Sequence, residues 1–369
     1  MRIGIDARIV YYSRAGIGQY TLQLIQALSE TAGEEDEFLL FQSRKDRTTL
    51  ATCPNFRRWP LWTPSHHRLE QFALPVEIAL ADLALLHSPD FIPPFRRHYK
   101  SVITIHDLAF LLFPNLLTRD SARYYGQIDE AARHTDHIIA VSESTKRDIV
   151  RLVGASEHKI TVIYEAANPI YRPLEGVDAA SWVRQKYGIS GDFVLFVSTI
   201  EPKKNLPTLL QAFRQLLDTY RVKTKLVVVG ERGWLSEEVF ETVRKLKLSD
   251  EVIFLGRVSS EELLWLYNAA QLLVHPALYE GFGLTPLEAM ACGTPVIVSN
   301  VSSLPEVVGD AALLVDPKDA EGFAVAMWRV LRDPALRQEL RQKGLCRAKK
   351  FSWEKTARET LALYHRLER

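Results

Sequence analysis

The sequence is short of the features that announce most function classes. It has three cysteines in 369 residues, Cys53, Cys292 and Cys346, spaced neither for a metal site nor for a redox pair. That argues against a disulfide framework and for a reducing, cytoplasmic compartment. The formal net charge is +1, so no global field recruits nucleic acid, and none is expected as a partner. No apolar run is long enough to span a bilayer. The longest, Leu108–Leu117, is interrupted by Pro114 and Asn115. Near the amino end Asp6 breaks the run Ile3-Gly4-Ile5, so the segment does not read as a signal peptide. There is no Asp-x-Asp metal signature, no short repeat and no low-complexity tract. Neither a metal nor a cofactor is expected.

What is present is a soluble globular composition, 47% hydrophobic and 25% charged, in a chain too long for one ordinary core. Short β-branched runs alternate with longer amphipathic segments, the pattern of an α/β protein with parallel sheets. Strands are expected at Arg2–Asp6, Glu37–Gln42, Leu83–His87, Ser101–Ile105, His137–Val141 and Ile160–Tyr164. A second series begins afresh at Phe193–Ser198 and continues with Lys225–Gly230, Val252–Leu255, Leu272–His275, Pro295–Ser299 and Ala312–Val315. Helices are expected at Gly18–Ser29, Arg119–His134 and Leu206–Leu217. Between the series the breakers Asn168-Pro169, Pro173 and Gly176 mark a boundary. The expected domains are 1–172 and 173–369, each doubly wound, facing a deep cleft with ligand at the carboxyl ends of strands. The last helix, about 352–369, is a candidate to pack back on the first domain.

The loop after Leu272–His275 carries the most chemistry. It reads Tyr279-Glu280-Gly281-Phe282-Gly283-Leu284-Thr285-Pro286-Leu287-Glu288, with a helix expected from Thr285 to Cys292. A glycine loop entering a helix N-terminus offers free amides to a phosphate. Glu280 would repel phosphate but suits sugar hydroxyls, and nothing in the sequence gives it a structural role. Glu288 has two readings: a ligand contact, or the closing glutamate of a Thr285–Glu288 capping box.

Other strand ends add groups. Lys203 and Lys204 follow Phe193–Ser198 and either neutralise a diphosphate or sit in an ordinary solvated loop. Gly16-Ile17-Gly18 enters a helix after Asp6 but lacks the third glycine of a dinucleotide fingerprint, with Thr21 in its place. His106-Asp107 follows Ser101–Ile105, where a histidine is either a satisfied structural residue or faces the cleft. Arg57–Trp62, Pro64–Arg68 and Phe95–His98 are basic and aromatic, and suit either a solvated face or an anionic lipid surface.

Two glutamates eight positions apart, enclosing Gly-Phe-Gly-Leu and followed by Ala289-Met290-Ala291-Cys292-Gly293-Thr294-Pro295-Val296, resemble the donor signature of retaining GT-B glycosyltransferases. The chain is most similar to glycosyltransferase family 4 (group 1), and within it to bacterial mannosyltransferases of surface-polysaccharide assembly. The likeness continues through Leu304–Gly309. It implies two Rossmann-like domains, the first on the acceptor side and the second binding the nucleotide sugar. It also implies donor contacts from Gly16, Gly18, Lys203, Lys204, Val258, Glu280, Phe282, Gly283, Leu284, Thr285 and Glu288. His106, Glu280 and Lys204 become the catalytic set, without a metal. Thr199 departs from the family, standing where relatives have an arginine, and Lys203 is the candidate replacement. The implied donor is GDP-mannose, with UDP-sugars next. The implied acceptor is a glycan or lipid-linked glycan, with peripheral contact at the inner membrane face. The alternatives are a GT-B sugar-nucleotide epimerase and a noncatalytic sugar-nucleotide-binding regulator.

Overall fold

The computed structural model describes residues 1–12, 16–67, 69–116, 124–233 and 236–368. It divides into two compact units, one of Met1–Glu165 with Ser352–Arg369 and one of Ala166–Phe351. The expected helix over 352–369 is observed as Trp353–Glu368 and belongs to the first unit.

The first unit is built on a seven-stranded parallel sheet. Its strands are β1 (Arg2–Asp6), β2 (Glu37–Ser43), β3 (Phe56–Leu61), β4 (Leu85–Ser88), β5 (Lys100–Ile105), β6 (His137–Ala140) and β7 (Ile160–Val162), ordered β3-β2-β1-β4-β5-β6-β7. The second unit has β8 (Phe193–Val197), β9 (Lys225–Val229), β10 (Val252–Gly256), β11 (Leu272–His275), β12 (Val296–Ser299) and β13 (Leu313–Val315), ordered β10-β9-β8-β11-β12-β13. All the pairings are parallel. Both orders reverse direction once, between β1 and β4 and between β8 and β11. Those switch points are where an open α/β sheet leaves a crevice for ligand.

Burial on both faces explains the strands' near-continuous apolar runs. All five residues of β8, Phe-Val-Leu-Phe-Val, are buried. One face of the second sheet packs on Leu209 and Phe213 of the helix Leu206–Tyr220 and on Phe323 and Met327 of the helix Ala320–Arg332. The other packs on Tyr267 of the helix Ser260–Ala269 and on Met290. In the helix Ile17–Thr31, Tyr20, Leu24, Ile25 and Leu28 are buried at helical spacing.

Two expectations are corrected. Arg57–Trp62 is expected only as a basic, aromatic stretch, yet Phe56–Leu61 is an edge strand whose exposed Arg57 and Arg58 and Pro60 are tolerated because one side of it is unpaired. Of the helix expected over Arg119–His134, Tyr124-Tyr125 and Ile128–His134 are helical, with a turn at Gly126-Gln127 between them. Its beginning, and Arg68 of the basic stretch, lie outside the described residues.

Candidate active site

In the second unit the two strands at the switch point deliver the lysine loop and the glutamate loop side by side. Asn205, at φ +57°, ends the turn Pro202–Lys204 and donates from Nδ2 to the carbonyls of Pro276 (2.9 Å) and Pro317 (2.7 Å). The amide of Leu278 donates to the carbonyl of Lys203 at 2.8 Å. These bonds fix one loop against the other. Lys204 Nζ lies 2.5 Å from Glu280 Oε1, and Lys203 Nζ lies 3.6 Å from the buried Glu201.

Glu280 has a second partner that sequence reasoning missed. His275, the last residue of β11 and only 2% exposed, places Nε2 2.7 Å from the same Glu280 Oε1. Its Nδ1 is buried without a hydrogen-bond partner among the described residues. Both side-chain bonds fall on Oε1, leaving Oε2 without a protein hydrogen bond among the described residues. Burial alone would raise the carboxyl's pKa. The Lys204 charge, then the His275 bond and charge, outweigh it and hold Glu280 well below the ordinary carboxylate range. Glu280 therefore has structural partners, contrary to the sequence expectation. A signal was available: a titratable residue at a strand's carboxyl end, five positions before an unexplained glutamate.

The next turn is held from the loop after β12. Ser302 Oγ accepts from the Glu280 amide (2.9 Å), and Ser303 Oγ donates to the carbonyls of Glu280 (2.8 Å) and Phe282 (2.6 Å). Gly283, at φ +113°, caps the helix Leu284–Ala291, and a Cβ there would come within 3.0 Å of Leu304 Cδ2. No side chain caps this helix end, so the first-turn amides, those of Leu284 and Thr285 among them, lack an intrahelical acceptor.

The capping-box reading of Glu288 is not realised. The helix begins one residue before Thr285, and Glu288 Oε2 instead accepts from the Tyr267 hydroxyl at 2.9 Å. Burial pushes the Glu288 carboxyl up to about 8, against the opposing pull of the Tyr267 bond. Val258 follows β10 and precedes the helix Ser260–Ala269, its partly buried side chain packed against the core. Thr199 lies beyond the end of β8, where a Cβ on Gly233 would come within 2.9 Å of its Cγ2.

His106, Gly16 and Gly18 belong to the first unit. Gly16 caps the helix Ile17–Thr31 at φ +51°, and Gly18 is buried in its first turn. His106 follows β5 and is held at both nitrogens, Nδ1 to Glu165 Oε1 at 2.7 Å and Nε2 to the Pro89 carbonyl at 3.0 Å. The Tyr20 ring meets it edge-on at 4.6 Å. Burial would lower its pKa, but the bond to and charge of Glu165 reverse that and raise it. Two acceptors call for two N–H donors, which is the imidazolium form. Glu165 was not singled out in the sequence.

At the first sheet's switch point a further polar network was missed. Asp6 ends β1 and accepts from the buried Arg8 through both oxygens, at 2.8 and 2.6 Å, and Arg8 also pairs with Glu70. Asp90, just past β4, pairs with His66, whose ring stacks on Tyr124 at 3.9 Å.

Similarity to known proteins agrees with this architecture. The model described as glycosyltransferase family 4 matches residues 14–169, and that described as glycosyl transferases group 1 matches residues 183–345. An O-antigen chain mannosyltransferase B from Escherichia coli is 32% identical over 381 residues, covering 99% of each chain. The O-antigen chain mannosyltransferase RfbU of Salmonella typhimurium is 28% identical over 336 residues, covering 87% of this chain and 89% of that one. Among solved structures, sucrose-phosphate synthase from Thermosynechococcus elongatus superposes with TM-score 0.80 at 24% identity, covering 100% and 99% of the two chains. Anabaena HepE in complex with UDP and glucose gives 0.76 at 19%, covering 98% and 99%. These structures show the fold. Matched end to end by a relative at 32% identity, the chain belongs to glycosyltransferase family 4 (group 1) and is a GT-B enzyme that transfers a sugar from a nucleotide donor with retention of configuration.

Proposed function

We propose that the enzyme moves mannose from GDP-mannose to a hydroxyl of a glycan or lipid-linked glycan, in the cytoplasm and without a metal. The observation that carries the donor site is the buried, ionised Glu280, bonded through one oxygen to Lys204 and His275 at the switch point of the second sheet. Its other oxygen accepts hydroxyl protons of the donor hexose. The amides of Gly283, Leu284 and Thr285 meet the diphosphate at the helix N-terminus, with Phe282 contributing its backbone. Lys204, with Lys203 beside it, neutralises the charge that builds on the departing diphosphate. Lys203 takes over the charge that relatives place at Thr199. Glu288 accepts from the ribose hydroxyls, and the Val258 backbone lies against the base.

In this reading the acceptor hydroxyl attacks the anomeric carbon on the face the diphosphate leaves, and the departing phosphate oxygen takes its proton. No second carboxylate of glycosidase type is then needed. Glu165 and the Pro89 carbonyl hold both nitrogens of His106 and keep it protonated; the resemblance gives His106 the donor sugar, and Gly16 and Gly18 the donor phosphate, as their contacts. The network of Asp6, Arg8, His66 and Asp90 is the candidate seat for acceptor hydroxyls. The choice of mannose rests on the O-antigen mannosyltransferases that resemble the chain over most of its length. The test is a panel of sugar nucleotides, read by calorimetric binding and by slow donor hydrolysis. GDP-mannose should bind and hydrolyse best. Preference for a UDP-sugar would refute the donor, and release of an epimerised sugar nucleotide without transfer would refute the reaction.

A further inference from the structure

Inside the first unit a row of buried polar side chains runs from the last helix to His106. Tyr364, on the helix Trp353–Glu368, places its hydroxyl 2.6 Å from His87 Nδ1. His87 Nε2 lies 2.8 Å from Thr104 Oγ1, and Thr104 Oγ1 lies 3.3 Å from the Tyr20 hydroxyl. None of these four side chains is more than 1% exposed. Burial, with the His106 charge added, pushes the His87 imidazole down to about 3. It is therefore neutral, with one N–H and one lone pair, and it donates to one hydroxyl while accepting from the other. A buried hydrogen bond adds little net stability, and an apolar cluster would fill the same space. What a fully bonded row adds is a single arrangement in place of several.

The row ends on the ring that touches His106. Glu165 and the Pro89 carbonyl hold the two nitrogens of His106. Bonds to ring nitrogens run in the ring plane, so they leave open its tilt about the line joining the nitrogens. The Tyr20 ring, at 81° to the imidazole with centroids 4.6 Å apart, closes that freedom. Trp353 adds a second ring contact to Tyr20, at 5.7 Å and 63°. Trp353 and Tyr364 are about three helical turns apart, so one face of the last helix carries both. Tyr20 also sits one turn into the helix Ile17–Thr31, its amide donating to the Gly16 carbonyl at 3.0 Å.

We infer that Tyr20 is a positioning residue for His106 in sugar transfer, and that Tyr364 holds Tyr20 in place through His87 and Thr104. The inference rests on the reading of His106 as a contact of the donor sugar. Transfer needs the imidazolium at one tilt, and a ring free to rock spends only part of its time there. Tyr364, fully buried, thereby bears on a reaction it does not touch.

The test uses the full chain, isotope-labelled at histidine nitrogen for magnetic resonance, beside the kinetics of GDP-mannose hydrolysis. In the unaltered protein the ring N–H protons of His106 should exchange slowly with water. Tyr20→Leu should speed that exchange about tenfold or more. It should also lower kcat about ten- to a hundredfold, with KM for GDP-mannose within about twofold. Tyr20→Phe and Tyr364→Phe keep the rings and remove only the hydroxyls, and should produce the same changes at about three- to tenfold. His365→Gln is the control. It loosens the same helix at its 2.8 Å bond to Asp36, and should lower Tm while leaving exchange and kcat unchanged. Exchange and kcat that move no further in the tyrosine variants than in His365→Gln overturn the inference, as does a change in KM alone. Faster exchange in the tyrosine variants, together with normal hydrolysis by His106→Gln, would leave the row standing and refute the contact of His106 with the sugar instead.

Discussion

Replacing Glu280 by Gln separates what the site does for the fold from what it does for the reaction. The substitution keeps shape and removes charge. Lys204, whose side chain is 14% exposed, then faces an amide in place of the carboxylate 2.5 Å away. Removing one member of a buried pair costs about 3–5 kcal/mol when the other charge is stranded. With both side chains slightly exposed, about 3 kcal/mol is the expected loss. For a unit of this size that lowers Tm by roughly 6–12 °C. Saturating nucleoside diphosphate should restore part of the loss, because the phosphates give Lys204 a new counter-charge. Transfer should fall by about 10²–10³, the usual effect of losing one preorganised contact to the reacting group. The assay is scanning calorimetry with and without diphosphate, run beside a transfer assay. Lys204→Met in the same chain should recover about 2 kcal/mol through the coupling of the pair. Transfer within tenfold of the unaltered enzyme would refute the donor-site reasoning, and an unchanged Tm would refute the ion pair.

The depressed Glu280 carboxyl contributes stability that is complete above its ordinary value of 4.5 and is lost as pH falls below it; urea unfolding across that range should show the loss, and Glu280→Gln should flatten it. His106 works in the opposite direction, its contribution being complete below 6.5 and lost as pH rises through its elevated folded value; Glu165→Gln should remove that slope. Glu288 starts protonated below about 8, so if ribose hydroxyls donate to the carboxylate, diphosphate affinity should climb with pH up to about 8 and level off; calorimetry on Glu288→Gln should find no climb. His275→Gln should lower kcat more than it raises KM, since Glu280 stays in place but loses its second anchor, and equal stability with unchanged kcat would make His275 a packing residue only. Gly283→Ala forces a side chain to φ +113° against Leu304, which should cost about 1–3 kcal/mol of stability and weaken diphosphate binding in the same calorimetric titration.

What the sequence disclosed was what lies close along the chain. Leu272 to Ala291 is one strand, loop and helix, so the glycines, the acidic residues and the helix entry could be read together. The parallel strands were legible because burial on both faces writes a continuous apolar run. What stayed hidden depended on contacts distant in sequence. Tyr267 and Glu288 meet through folding of separate helices, and without that partner Glu288 resembled a cap. His106 and Glu165 come from the ends of different segments. Ser302 and Ser303 grip the glutamate loop from the next strand's exit. The edge strand Phe56–Leu61 escaped notice because an edge does not impose an inward-outward rhythm on its residues.

The return of Ser352–Arg369 to the first unit sets an order of events during synthesis. Tyr364 is fully buried there, its hydroxyl 2.6 Å from His87 Nδ1, and Trp353 meets the Tyr20 ring at 5.7 Å. Tyr20, in turn, lies against His106. Ala166–Phe351 is continuous and can complete its core as soon as it leaves the ribosome. The first unit must keep a vacant groove along its Ile17–Thr31 helix until Trp353–Glu368 has been made. Tyr20 and the His106 ring against it are therefore fully enclosed only after Ala166–Phe351 has been made, and a chain cut before Trp353 would carry a finished second unit and an unfinished first one.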